Sequence, residues 1–114
     1  MTIDESEDND LTIMTLAGEA DLTAVPLFQE KMRAQMKKGT PKLIVDFSDV
    51  TFVNTPVWAV IVEYYQHTIK KGGAFAIAGL KDRVEASFNI VRLGEFIKHF
   101  SSIDEARQSL ETAP

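Results

Sequence analysis

Val45-Asp46-Phe47-Ser48-Asp49-Val50-Thr51-Phe52-Val53-Asn54-Thr55-Pro56-Val57-Trp58 reads as a buried strand, a short loop, and a helix that opens at Asn54-Thr55-Pro56. The strand signal is Leu43-Ile44-Val45-Asp46-Phe47, a nearly continuous apolar run of the kind found in interior strands covered on both faces. The helix signal is Pro56. Its ring presets the first helical turn, and its missing N–H would have no partner there. Val57, Trp58, Val60, Ile61, Val62, Tyr64, Tyr65 and Ile69 carry that helix to about Lys71. In α/β domains the loop between such a strand and a helix N-terminus is a usual place for ligand and partner contacts.

On the N-terminal side, Leu11-Thr12-Ile13-Met14-Thr15-Leu16 reads as a strand. Thr2 to Glu7 reads as a polar edge strand, joined to it by a turn at Asp8-Asn9-Asp10. Its acidic side chains discourage pairing with other chains. Gly18-Glu19-Ala20-Asp21-Leu22-Thr23 then reads as a loop, with Thr23 as the N-cap of a helix that has Pro26 in its first turn. Val25, Leu27, Phe28, Met32 and Met36 form the apolar face of that helix, and Lys37-Lys38-Gly39 closes it.

On the C-terminal side, Gly72-Gly73 ends the central helix and Ala74-Phe75-Ala76-Ile77-Ala78 is a strand of small residues. A helix from about Asp82 to Leu93, a short extended segment from Phe96 to Phe100, and a last helix complete the chain. The last helix starts at Ser102 or Ile103 with a capping box, Ser102-Ile103-Asp104-Glu105, and is expected to fray near Thr112. The order β-β-α-β-α-β-α-(β)-α predicts a single α/β domain over residues 1–114. Its sheet is mixed, with about four or five strands and about four helices, largely parallel after an N-terminal hairpin.

Composition narrows the function. The chain has 114 residues, a net charge of −5 and no cysteine. A net acidic surface argues against nucleic acid, which needs clustered Lys and Arg. The absence of cysteine excludes disulfides, thiolate nucleophiles and Cys-based zinc sites. No leader-like segment or apolar run of bilayer-spanning length is present, so no direct membrane insertion and a cytoplasmic location are expected. His67 and His99 lack partners at triad or metal spacing, and no phosphate-binding glycine motif appears. A non-enzymatic protein without metal or cofactor is expected.

Several stretches together resemble the STAS domain, the anti-sigma-factor-antagonist family. Gly18-Glu19-Ala20-Asp21-Leu22 is similar to the family's Gly-Glu-Leu-Asp-Leu, and Val45 to Val50 to its third-strand consensus. Gly72-Gly73, Ala78-Gly79-Leu80 and Arg92-Leu93-Gly94 through Phe100 follow its later spacing. The family signature runs Asp-hydrophobic-Ser, a spacer, then Asp-Ser-Ser-Gly. Here Asn54 stands at the second Asp, Thr55 at the first Ser, Pro56 at the phosphorylated Ser and Val57 at the Gly. The resemblance implies a small α/β sandwich with its helices grouped on one side of the sheet.

It also implies a binding role in bacterial partner switching and transcription regulation. The expected partner is a GHKL-type serine kinase that is also an anti-sigma factor, or a related regulatory protein. The residues placed at its docking face are Asp21, Asn54, Thr55, Pro56, Val57 and Trp58. Pro56 has no hydroxyl, so the usual phosphate ester cannot form there. Thr55 reads either as an alternative acceptor or as the N-cap of the helix, and Trp58 either as an interface anchor or as core. A different reading makes the chain an accessory subunit of a lipid-transport complex, bound to an ABC transporter ATPase. A third makes it a small-ligand sensor around Asn54.

Overall fold

The computed structural model describes residues 1–111. Five strands form one sheet in sequential order: β1 (Thr2–Asp8), β2 (Leu11–Ala20), β3 (Lys42–Val53), β4 (Ala74–Ala78) and β5 (Lys98–Phe100). β1 and β2 are an antiparallel hairpin whose turn places Asn9 at φ 59°, a left-handed angle that Asn tolerates. The pairs β2–β3, β3–β4 and β4–β5 are parallel. The helices are α1 (Val25–Lys38), α2 (Thr55–Lys70), α3 (Asp82–Ile90) and α4 (Ile103–Glu111). The predicted mixed α/β sheet is present.

The core has two unequal halves. Met14, Leu16, Leu43, Val45, Phe47, Phe75 and Ile77 point from the sheet towards α1, α2 and α3. The alternate residues Leu11, Ile13, Ile44, Ala76 and Ala78 point the other way and are covered by Ala106 and Leu110 of α4. The helices are therefore not all on one side, contrary to expectation. The period-two pattern of β3, apolar on both faces at Leu43, Ile44 and Val45, requires a cover on each. α4 is amphipathic and supplies the second.

Other boundaries also differ from the sequence reading. Gly18-Glu19-Ala20 continues β2 rather than forming a loop. β3 likewise runs on to Val53. The extension is possible because β3 carries extra residues: Thr15 pairs with Asp46 but Ala17 with Asp49, and Gly18 pairs with Val50 but Glu19 with Phe52. These bulges bend the strand and shift which side chains face inward. On α1, Leu27 is exposed, while the polar Gln35 is buried and bonded to Glu5 and Thr40. α3 stops at Ile90, before a 3-10 turn at Leu93–Glu95, because Arg92 adopts a left-handed conformation (φ 62°). β5 is shorter than predicted. Glu105 N–H donates to Ser102 Oγ (3.2 Å), as the capping box requires. The expected fraying near Thr112 lies outside the described residues.

Two packing constraints stand out. The first involves Asp46, a buried carboxylate that accepts from Ser48 N–H (3.1 Å) and Ser48 Oγ (2.6 Å) at the first bulge. Gly79 lies against this pair at φ +76°. A Cβ there would overlap Ser48 Oγ and come within 2.8 Å of Asp46 Oδ1. The second is Trp58, which is 2% exposed and packed between a tilted Phe47 ring (5.3 Å) and the Phe88 ring met edge-on (5.5 Å). Its indole N–H donates to Ser87 Oγ (2.8 Å), so the buried donor is satisfied. The anchor reading of Trp58 is thus replaced by the core reading.

Replacing Gly79 with Ala adds both backbone strain and overlap with Ser48, and should cost about 3 kcal/mol of unfolding free energy. Trp58→Ala should cost about 3–5 kcal/mol. Urea unfolding followed by circular dichroism checks both. A Gly79→Ala loss under about 1 kcal/mol would show that the bulge relaxes without strain.

Candidate functional site

The last register pair between β2 and β3 is Ala20 with Val53. Immediately beyond it, Asn54 N–H donates to the Ala20 carbonyl (2.8 Å). Two chain segments therefore leave the sheet from one point: Asp21 into α1, and Asn54 into α2. This junction brings Asp21 beside the start of α2.

Asp21 has extended backbone angles, and its Oδ1 accepts from Thr23 Oγ1 (2.6 Å), Thr23 N–H (3.1 Å) and Ala24 N–H (3.2 Å). It caps a 3-10 turn, Leu22–Ala24, that leads into α1. The expected cap, Thr23, instead donates its hydroxyl to Asp21. The Asp21 carboxylate, at the cap position, reaches forward to two N–H groups, whereas Thr23 already lies inside the turn. The Thr23 hydroxyl bond is the largest influence holding the Asp21 carboxyl below its usual pKa. Partial burial opposes it, and the two backbone bonds and the N-terminal ammonium reinforce it. The turn buries Ala24 and leaves Leu22 62% exposed.

At α2 the cap position belongs to Asn54 (φ −78°, ψ 146°), with Thr55 and Pro56 inside the first turn. Thr55 is therefore not the N-cap. Nor does the Asn54 side chain make a capping bond. The reason is Pro56. A cap side chain accepts from the second or third helical N–H. The second is proline and has none. The third, on Val57, is bonded to the Asn54 carbonyl (2.9 Å). Among the described residues, neither the Asn54 amide nor the Thr55 hydroxyl has a hydrogen-bond partner.

Exposure then sorts the expected docking residues. Thr55 is exposed, and Asp21, Asn54 and Pro56 are half-buried. Val57 (0% exposed) and Trp58 are buried under the first turn and hold it from below. Two apolar residues missed by the sequence reading take their place: Leu22 and Phe52, the latter 36% exposed. Phe52 shares an open cavity of about 350 Å³ with Glu19, Asp21, Thr51 and Arg83. Alternation along Val50-Thr51-Phe52-Val53 could not place Phe52. The bulge at Thr51 buries both Val50 and Val53 and turns Phe52 outward.

Among the described residues no group of three or more His, Asp or Glu is placed to hold a metal, and no helix is long and apolar enough to cross a membrane. His67 is exposed on α2, while the His99 ring packs on Phe88 (5.0 Å).

The family model described as the STAS domain matches residues 2–106. The chain is 26% identical over 93 residues to the anti-sigma-B factor antagonist of Bacillus subtilis, covering 82% of this chain and 84% of that protein. A solved anti-sigma factor antagonist from Mycobacterium paratuberculosis superposes with a TM-score of 0.90 at 17% identity, covering 96% of this chain and 93% of the other. A candidate anti-sigma factor antagonist from Thermotoga maritima superposes equally well, at 0.90 and 23% identity, with 96% and 94% covered. At these identities the structural likenesses bear on the fold alone.

The Asp21 cap has a pH signature. A carboxyl with a depressed folded pKa contributes stability that is present above its unfolded value, near 3.8, and is lost as pH falls through the folded value. Asp21→Ala should therefore lower the urea midpoint at pH 6–7, and the gap to wild type should narrow steadily below about pH 4. A gap independent of pH down to about pH 2 would show that the ionised carboxylate is not the capping species.

Proposed function

The chain belongs to the STAS domain family, and we propose that it acts as a docking module of the anti-sigma-factor-antagonist type. Its partner in this reading is an anti-sigma factor or related regulatory protein, with a GHKL-type serine kinase as the specific form. The observation that carries the reading is the junction at Asn54 N–H and Ala20. In this reading Asp21, Leu22, Phe52, Asn54 and Thr55 form one rim around that junction, over buried Val57 and Trp58.

The chemistry of the rim describes the partner. Leu22 and Phe52 call for an apolar cleft, which is the usual source of binding energy at such a contact. Ionised Asp21 calls for a cation, and the unspent Asn54 amide for a polar backbone or side-chain group. Pro56 gives this module its regulatory character. The position that resembles the phosphorylated serine has no hydroxyl, so docking is constitutive and insensitive to a kinase acting there. The Thr55 hydroxyl is the one remaining acceptor in the first turn of α2. A phosphate on it would meet the helix N-terminus favourably and Asp21 unfavourably.

Affinity capture from the source cells, using wild type and Leu22→Asp, tests this. Wild type should retain an anti-sigma factor or serine kinase, and Leu22→Asp should lose at least about tenfold of it while keeping its circular dichroism. Retention of an ABC ATPase instead would favour the transport-accessory reading. Equal retention of the regulatory partner by both proteins would remove Leu22 from the docking face. Incubation of wild type with the captured kinase and ATP should leave it unphosphorylated. Phosphate that disappears in Thr55→Ala would overturn the constitutive reading and place a switch one residue earlier.

A further inference from the structure

The docking rim lies at the carboxyl ends of β2 and β3. At the opposite end of the sheet, where β3, β4 and β5 begin and α2 and α4 end, there is a cavity of about 300 Å³. This is the lower end of the range for small-molecule sites.

Its wall is aromatic. The Tyr65 ring meets Phe75 edge-on at 5.7 Å and Phe96 at 5.6 Å. The Tyr65 hydroxyl donates to the Phe96 carbonyl (2.9 Å), which ties the segment before β5 to α2. The Phe96 ring remains 47% exposed and Ile69, also lining the cavity, 45%. The apolar surface is thus held open by a hydrogen bond and two ring contacts rather than closed on itself. Gly73 forms part of the floor. A Cβ there would come within 3.0 Å of the Thr68 methyl and crowd the Pro41 carbonyl still more closely, so glycine is what lets the chain pass this tightly.

The charge around it is one-sided. Among the described residues, Lys42 and Lys98 line the cavity and no Asp or Glu does, in a chain with 17 acidic and 12 basic residues. Lys42 is shared with Asp10 (3.4 Å), whereas Lys98 has no carboxylate partner among the described residues. An open aromatic wall with an uncompensated ammonium at its rim has two complementary halves for one molecule.

We propose that this cavity binds a small anionic amphiphile. Its flat or branched apolar body lies against Tyr65, Phe75 and Phe96, and a single carboxylate, sulfonate or phosphate meets Lys98. The site is independent of the docking rim and of the partner proposed for it.

Titration of the full chain with 1-anilinonaphthalene-8-sulfonate, followed by amide NMR, tests the assignment. Saturable one-to-one binding is expected, with the largest shifts at Gly72, Gly73, Phe96 and Lys98. Lys98→Glu, an exposed substitution that leaves the core untouched, should weaken it at least about tenfold. The uncharged analogue N-phenyl-1-naphthylamine should bind wild type at least about tenfold more weakly than the sulfonate. Non-saturable binding, or shifts centred on residues 20–23 and 52–56, would overturn the proposal. So would equal affinities for the charged and uncharged probes, or for wild type and Lys98→Glu.

Discussion

The parallel pairing of β2 with β3 is the constraint on which the rest of this structure depends. It runs from Leu11 with Lys42 to Ala20 with Val53, and Asn54 N–H continues it by one more bond to the Ala20 carbonyl. Side chains alternate faces along a strand, so a slip of one residue would exchange inside for outside. The bulges on β3 use this rule locally. The first is braced by the Asp46 carboxylate holding Ser48 and by the bare Cα of Gly79 beneath them. The second, at Thr51, sends Val50 and Val53 inward and Phe52 outward. The outward position of Phe52 is thus set by the register of a strand whose pairing begins at the other end of the sheet.

Pro56 acts on the same junction from the helix side. It suits the first turn because it lacks an N–H that would otherwise need a partner. For the same reason it takes away the N–H that Asn54 would cap, and the Val57 N–H is already engaged by the Asn54 carbonyl. One residue therefore preserves the helix start and leaves the Asn54 amide without a capping role, and in the proposed reading it also stands where a phosphate acceptor would. The polarity offered to a partner comes from side chains on the rim rather than from open helix amides.

Much of this was legible in the sequence. The apolar run Leu43–Phe47, the Pro56 helix start, the Gly39 and Gly72-Gly73 stops and the Ser102 capping box each have a local cause, and each appears where that cause puts it. What was not legible depended on contacts between distant segments. The extension of β2 through Gly18-Glu19-Ala20 depends on bulges in its partner strand. The opposite placement of α4 follows from the two-sided burial of β3. Gln35 on α1 is buried because Glu5 of β1 and Thr40 are there to receive it. The residues expected at a docking face divided along the same line. Asp21, Asn54 and Thr55 were named through the family resemblance, but the choice between Trp58 as anchor and as core needed Phe47, Phe88 and Ser87 to be in place.

In the proposed docking reading, charge favours the rim over the acidic N-terminal strand. β1 is rich in carboxylates, yet Glu5 and Glu7 are engaged by Lys31 and Lys38 of α1, Asp8 by Arg107 of α4, and Asp10 of the following turn by Lys42. These pairs are partly exposed and add little to stability. Their effect is to neutralise the edge of the sheet at short range, so its field falls off quickly in salt. Glu19, Asp21 and Asp49, near the carboxyl end of the sheet, have no ion pair among the described residues. Arg83, which also lines the Phe52 cavity, offsets part of this charge, and the remainder extends into solvent beside the exposed Phe52. A partner with a basic rim around an apolar cleft would be drawn to this end, where attraction sets the encounter rate and the apolar contacts set the lifetime.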